Sequence, residues 1–167
     1  MSTKRRTRRT ASRWGGMSPL EIALSQVRKF TAAALPNILS LSTAARHALQ
    51  FGGFNADHWG ALVEALNHSE ALTRPGINLA PDHLRTIEAG QQALADLRTR
   101  RADRGIWCAT GPELIQLDEA LWLWKLQLEL ASVGEYRRAQ AWMEAEIRRA
   151  RAGNPGRTVV HLDDIKD

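Results

Sequence analysis

Apolar residues recur at helical spacing along most of the chain, in segments separated by proline and glycine. The first segment opens with the string Ser18-Pro19-Leu20-Glu21, where serine and glutamate form a capping box and proline takes the first helical position. Leu20, Leu24 and Val27 fall on one face of this helix. The stripe continues towards Phe30 or Thr31 and Ala34, and Pro36 interrupts or restarts the helix.

Two more short helices are predicted before Pro75. One covers roughly residues 37–51 and stops at Gly52-Gly53, which is typical of a helix C-terminus. The other starts at Asn55 and ends before Pro75-Gly76. The apolar residues at helical spacing are Ile38, Leu41, Ala45, Ala48 and Leu49 in the first, and the inward-facing Trp59, Leu62, Val63 and Leu66 in the second.

Three longer helices are predicted in the second half of the chain. The fourth helix opens at Pro81 and ends at Gly105, after a basic last turn that suits the helix dipole. Capping boxes at Thr110–Glu113 and Ser132–Glu135 open the fifth and sixth helices. We expect the two longest helices to pair antiparallel. The residues expected to face inward are Leu84, Ile87, Gln91, Leu94 and Leu97 or Arg98 in the fourth helix; Leu114, Leu117, Leu121, Trp124, Leu128 and Ala131 in the fifth; and Tyr136, Ala139, Met143, Ile147 and Ala150 in the sixth.

These segments predict an all-α fold, a helical bundle of five or six helices with a flexible basic N-terminal arm and a short C-terminal tail. The predicted divisions are an arginine-rich flexible arm over residues 1–16, a helical domain over 17–153, and a flexible or loosely docked tail over 154–167. The tail contains the apolar run Thr158–Leu162, which is compatible with an edge strand, a docked extended segment or disorder.

Composition supports a soluble protein of the cytoplasm. The 167 residues suffice for one hydrophobic core, and the single cysteine, Cys108, excludes an internal disulfide and fits a reducing compartment. No run of about 18 apolar residues is present, so the sequence predicts no contact with a membrane.

The net charge of +5 is concentrated at the N-terminus. Residues 1–16 contain six cations and no acid, so the rest of the chain carries a net charge of −1. Such an arm neutralises phosphates and releases counterions, and Trp14 beside it is placed to stack on an unpaired base. An alternative is a solubilising terminus with Trp14 packed on the first helix. The predicted nucleic-acid-binding residues, for DNA or RNA, are Lys4, Arg5, Arg6, Arg8, Arg9, Arg13 and Trp14.

The sequence offers no convincing catalytic, metal or cofactor site, and none is predicted. The five histidines lack the spacing of a helical zinc site, and no glycine-rich loop is followed by the lysine that a phosphate loop requires. The acids Asp118, Glu119, Glu144 and Glu146 are expected to face water. The predicted class is therefore a non-enzymatic binding protein.

Six tryptophans are more than a small core usually contains. Trp124 lies on the inward stripe, whereas Trp122 lies on a different face of that helix and Trp142 adjoins Met143. If both lie outside the core, they mark a protein-binding patch or a self-association surface, with Arg137 and Arg138 nearby. The alternative is a central helix that is buried on most sides.

The segment between Thr110 and Glu129 carries a resemblance to known proteins. Its capping string Thr110-Gly111-Pro112-Glu113-Leu114, followed by Leu117, Asp118, Glu119, Ala120 and Gln127-Leu128-Glu129, resembles uncharacterised small helical accessory proteins of proteobacterial prophages and plasmids. The resemblance implies a mobile-element accessory protein and brings no catalytic residue with it.

Two functional hypotheses follow from the sequence. In the first, a mobile-element accessory protein contacts nucleic acid through its arm, and the helical body is a scaffold or a homodimer. In the second, the chain is a protein-binding module, such as a phage inhibitor of a host or defence complex, whose helical surface binds a host or phage protein.

Overall fold

The structure is a computed structural model that describes residues 18–152 apart from positions 75, 78 and 80. It is an all-α helical bundle, as predicted. The described residues contain one isolated β-bridge, between Lys29 and Ser132, and no β-strand. The helices are α1 (Pro19–Val27), α2 (Leu35–Phe51), α3 (Ala56–Thr73), α4 (His83–Arg104), α5 (Gly111–Leu130) and α6 (Val133–Arg151).

The capping boxes form as the sequence predicts. The backbone N–H groups of Ser18, Thr110 and Ser132 each donate to the glutamate three residues later, at 2.6, 2.7 and 2.7 Å. Pro36 lies in the first turn of α2, so it restarts a helix, which is one of the two predicted outcomes. One boundary differs from prediction: α4 begins two residues after Pro81.

Helix α3 lies at the centre of the bundle. It packs against α2, α4, α5 and α6, and Trp59, Leu62, Val63 and Leu66 are all buried, as predicted. One core cluster joins α3 to α2, α4 and α5, and a second joins it to α5 and α6. A helix covered on several sides buries far more than one stripe, which explains why Asn67, His68 and Ser69 are buried as well.

Buried hydrogen bonds fix how α3 meets its neighbours. The Trp59 indole N–H donates to the Leu94 carbonyl at 2.9 Å, which ties α3 to α4. The Gln127 amide of α5 accepts from the Ser69 hydroxyl at 2.6 Å and donates to the Ser69 carbonyl at 3.1 Å. Because a buried polar group without a partner costs free energy, these pairs favour one arrangement of the helices.

The two longest helices, α4 and α5, pack antiparallel, as predicted. Near the connecting loop, the Arg100 guanidinium donates to both Glu113 carboxylate oxygens, at 2.6 and 3.1 Å. Farther along, Gly90 lies so close to α5 that a β-carbon there would be 2.7 Å from the Ala120 β-carbon. A glycine at this position lets the two backbones approach each other.

Helix α1 faces the opposite way from an ordinary amphipathic helix. Leu20, Leu24 and Val27 share one face, but that face is outward, with exposed fractions of 68%, 55% and 76%. Ser25, on the other side, is buried. The hydrophobic pattern therefore located the helix correctly without indicating which side meets the bundle.

Some other positions also differ from their expected environments. Leu41 and Leu84, which lie on predicted apolar stripes, are exposed. Glu146, expected to face water, is buried, and its carboxylate accepts a hydrogen bond from Arg149 one turn later. Asp118, Glu119 and Glu144 do face water.

The predicted arm (residues 1–16) and tail (residues 154–167) lie outside the described residues. None of the helices in the described part of the chain is both long enough and apolar enough to cross a lipid bilayer.

Candidate functional site

An open apolar groove lies between α2 and α5. The two helices run antiparallel and are joined at one end by Arg46, whose guanidinium donates to both Asp118 oxygens at 2.6 and 2.8 Å. Beyond this ion pair the groove has a volume of about 770 Å³. Its lining residues are Ala32, Leu35, Pro36, Leu39, Ser40, Thr43, Ala44, His47, Lys125 and Glu129. An apolar groove with charged residues at its edge suits the apolar face of a partner segment.

Trp122 lies beside this groove. At about 100° per residue, Trp122 shares a strip of the α5 surface about 60° wide with Asp118, Lys125 and Glu129. This strip is on the side of α5 that faces α2. The Trp122 side chain is 59% exposed, and Ile115, two turns earlier, is 60% exposed. Exposed aromatic residues next to apolar surface are typical of interface centres.

The other predicted interface residues have different neighbours. Trp142 is half-buried against the second core cluster, and the Arg74 guanidinium lies 3.8 Å from the centre of its ring. Arg138 is exposed and donates to the Gln26 side chain of α1, and Arg137 is partly buried. Trp122 and Trp142 therefore lie in different environments, and of these two only Trp122 has a largely exposed ring.

Every predicted nucleic-acid-binding residue, from Lys4 to Trp14, lies outside the described residues. The structure does describe the attachment point of the arm, which is the capping box at Ser18. Helix α1 runs back along α6 from the Lys29–Ser132 bridge, so its first residue lies near the middle of α6. Arg148 and Arg149 lie about two turns farther along α6. They are mostly exposed, and each is paired with a glutamate of the same helix.

A small, half-open pocket lies beside His68, with the exposed residues Leu41 and Glu64 at its edge. It has a volume of about 80 Å³ and lies among α2, α3, α5 and α6. The Trp124 indole N–H donates to His68 Nδ1 at 3.1 Å, so the proton of the neutral imidazole is on Nε2, which has no hydrogen-bond partner among the described residues. Burial lowers the pKa of His68 to about 4, and the Tyr136 backbone opposes this in part.

The chemistry of this pocket is limited. A histidine with a pKa of about 4 is a weak base at neutral pH, whereas a general base works best with a pKa near the operating pH. The Tyr136 hydroxyl is less acidic than usual, because burial and then the charge of Glu64 raise its pKa. The volume corresponds to only about two or three water molecules. At neutral pH the pocket therefore contains a neutral imidazole and a neutral phenol.

No cluster of three or more potential metal ligands occurs in the part of the chain that the structure describes. Cys108 is exposed in the loop between α4 and α5. No protein-family model matches the chain, and neither a curated protein nor a solved structure matches it.

Sequence reasoning missed both the groove and the His68 pocket. Leu35 and Leu39 lie beside the predicted α2 stripe, and this widening of the apolar surface was the available signal. His68 counts as polar in any periodicity argument, so only the burial of its neighbours identifies it as an interior residue.

Proposed function

We propose that this chain is a cytoplasmic, non-enzymatic accessory protein of a mobile genetic element that contacts nucleic acid through its arginine-rich arm. The observation that carries the proposal is the charge distribution: six cations and no acid in residues 1–16, against a net −1 over the rest of the chain. Cations concentrated in this way neutralise several phosphates at once.

The surface next to the arm supports this proposal. Arg148 and Arg149 lie on α6, about two turns beyond the point where α1 begins. The Arg148–Glu144 contact is 3.8 Å long, and both side chains are more than 60% exposed. Such a pair is worth little in water, so a phosphate group competes well for the arginine.

The salt dependence of binding tests the proposal. Six neutralised phosphates give a slope of about −5 for the logarithm of the binding constant against the logarithm of the salt concentration, or a loss of roughly 1,000-fold between 50 and 200 mM salt. We expect the full chain to show this slope with duplex DNA, single strands or structured RNA. A chain without residues 1–16 should lose most of the slope.

A matched pair of variants separates the arm from general basicity. Arg8→Gln with Arg9→Gln should lower the magnitude of the slope by about 2. Arg85→Gln with Arg104→Gln removes the same charge from exposed positions on α4 and should leave the slope unchanged. Equal effects of the two pairs, or binding that survives deletion of the arm, would show that the arm is not the binding site.

A second function, binding of a protein partner, is favoured by the groove between α2 and α5 with Trp122 at its side. A photo-cross-linking residue at Ser40, inside the groove, should capture a defined host or phage protein, and the same residue at Thr99 on α4 should not. Leu39→Glu should abolish the capture, because it places a charge in the apolar lining. Capture that is indifferent to Leu39→Glu argues against this site.

A further inference from the structure

The outer face of α1 is apolar and is formed by Leu20, Leu24 and Val27. No described residue buries this face. Glu21 lies at the N-terminal end of this face. Arg28 and Lys29 lie at its C-terminal end and are exposed. The face thus has a fixed order along the helix: negative charge, apolar surface, positive charge.

The course of α1 places the C-terminus of α6 beyond the start of this face. At the other end, the Val133 N–H donates to the Arg28 carbonyl at 2.7 Å, and Lys29 forms an antiparallel bridge with Ser132. From there α1 runs back along α6 for about 12 Å, whereas α6 continues for about 27 Å to Ala152. The C-terminus of α6 therefore extends about 15 Å past the start of α1.

The chain beyond Ala152 has the length needed to reach the outer face of α1. Residues 153–158 span at most about 20 Å, which covers the 15 Å overhang. The next four residues, Val159–Leu162, include three large apolar side chains and span at most about 14 Å. Leu20 and Val27 are about 10 Å apart along α1, so the two apolar stretches match in length.

The charges on both sides of the apolar run match as well. Arg157 precedes it, and Asp163 and Asp164 follow it. A segment that leaves α6 and follows α1 from its N-terminus brings Arg157 to Glu21 and the two aspartates to Arg28 and Lys29. Arg138 of α6, which donates to Gln26, is a third exposed cation near this end. Glu135 offsets one charge: burial raises its pKa, but hydrogen bonds from Ser132, with smaller contributions from Arg138 and Lys29, hold it below the usual range.

We propose that residues 157–164 of the same chain bind the outer face of α1, with Val160 and Leu162 on the apolar surface and Asp163 and Asp164 at the Arg28–Lys29 end. The tether favours this occupant over a separate molecule, because a short linker holds the segment at a millimolar effective concentration. This inference concerns a surface that the arm and the groove do not use, so it is independent of the proposed functions.

Cross-linking in the full chain tests the proposal. In a Cys108→Ser background, Leu24→Cys with Val160→Cys should be joined within one chain by a short bismaleimide reagent. The control pair, Arg85→Cys with Val160→Cys, places the first cysteine on an exposed part of α4. We expect the first pair to react at least tenfold faster than the control. Equal rates would overturn the proposal.

Charge reversal tests the direction of binding. Asp163→Lys with Asp164→Lys should slow the cross-link, and so should Arg28→Glu with Lys29→Glu. All four substitutions together should restore the rate, because the opposite charges again face each other. Failure of the combination to recover would overturn the charge pairing. A cross-link that forms between two chains, seen as a dimer, would assign the face to a second copy instead.

Discussion

Acidification should destabilise this protein through His68. The imidazole is almost completely buried, it accepts a hydrogen bond from the Trp124 indole, and burial lowers its pKa from 6.5 to about 4. In the unfolded chain the same group titrates near 6.5. Between these two values the unfolded state binds more protons than the folded state, so stability falls as the pH falls.

The size of the effect follows from the difference in pKa. A shift of one pKa unit corresponds to about 1.36 kcal/mol, so a difference of about 2.5 units corresponds to about 3 kcal/mol. This loss develops between about pH 6.5 and pH 4, and below pH 4 the His68 contribution becomes constant. Burial also lowers the pKa of His83, which adds a loss of the same sign.

Urea denaturation between pH 7 and pH 4 measures the effect. His68→Gln keeps an oxygen that can accept from Trp124 and removes the titration. The free energy of unfolding of the wild type should fall by about 3 kcal/mol more than that of the variant over this range. His47→Gln, at an exposed position on α2, is the matched control and should follow the wild type.

The comparison between variants isolates His68, because carboxylates titrate equally in all three proteins. An NMR titration of the His68 ring gives the folded-state pKa directly, and we expect it to be near 4. If His68→Gln follows the wild-type pH dependence, or if the ring titrates near 6.5, the argument from burial is refuted.

Two further predictions concern the contact between α4 and α5. Gly90→Ala should lower the free energy of unfolding by about 1–2 kcal/mol in urea denaturation, since its β-carbon would lie 2.7 Å from a methyl carbon of α5, and a gain in helix propensity offsets only part of the overpacking. Gly134→Ala is the control and should change stability by less than about 1 kcal/mol, because its β-carbon meets only the end of a glutamine side chain. Arg100→Met should raise the pKa of Glu113, seen by carboxylate NMR titration, because hydrogen bonds from Arg100 and Thr110 outweigh burial in holding that pKa low. An unchanged Glu113 pKa would show that the Thr110 capping box is sufficient.

Helix positions were predictable because their signals are local. Serine or threonine followed three residues later by glutamate places two hydrogen bonds within one turn, and these form at Ser18, Thr110 and Ser132 whatever the rest of the bundle does. The inward side of α3 was also predictable, because a helix covered by four neighbours buries its apolar residues in almost any arrangement.

The surroundings of individual side chains were less predictable because they depend on distant parts of the chain. Glu146 sits at a position that helical periodicity assigns to solvent, yet it is buried near the central helix and keeps Arg149 as a partner. Trp122 and Trp142 both lie outside the predicted apolar stripes of their helices. Trp122 is largely exposed, whereas Trp142 is covered by Arg74 from the end of α3. No local pattern distinguishes these two tryptophans.

The orientation of α1 is set by contacts near its C-terminal end. The bridge at Lys29 and the close approach of Gln26 to Gly134 fix the side of α1 that meets α6. Fully burying a leucine or valine is worth about 1.5–3 kcal/mol. Leu20, Leu24 and Val27 are each partly exposed, and together they expose the equivalent of about two full side chains, so about 3–6 kcal/mol of burial free energy is not gained.

Ordering residues 157–164 costs about 8–16 kcal/mol of backbone entropy. Burying Val160 and Leu162 of that segment adds about 3–6 kcal/mol to the gain from α1, so the total gain is of a similar size to the cost. Considering only apolar contact and backbone entropy, the free energy of covering the outer face of α1 is therefore close to zero. Charge pairing at its two ends then decides the outcome, and because such pairs weaken with salt, cover of this face should be strongest at low ionic strength. We therefore expect the cysteines placed at Leu24 and Val160 to cross-link faster at low salt than at high salt. Faster cross-linking at high salt would show that charge pairing does not hold the segment on α1.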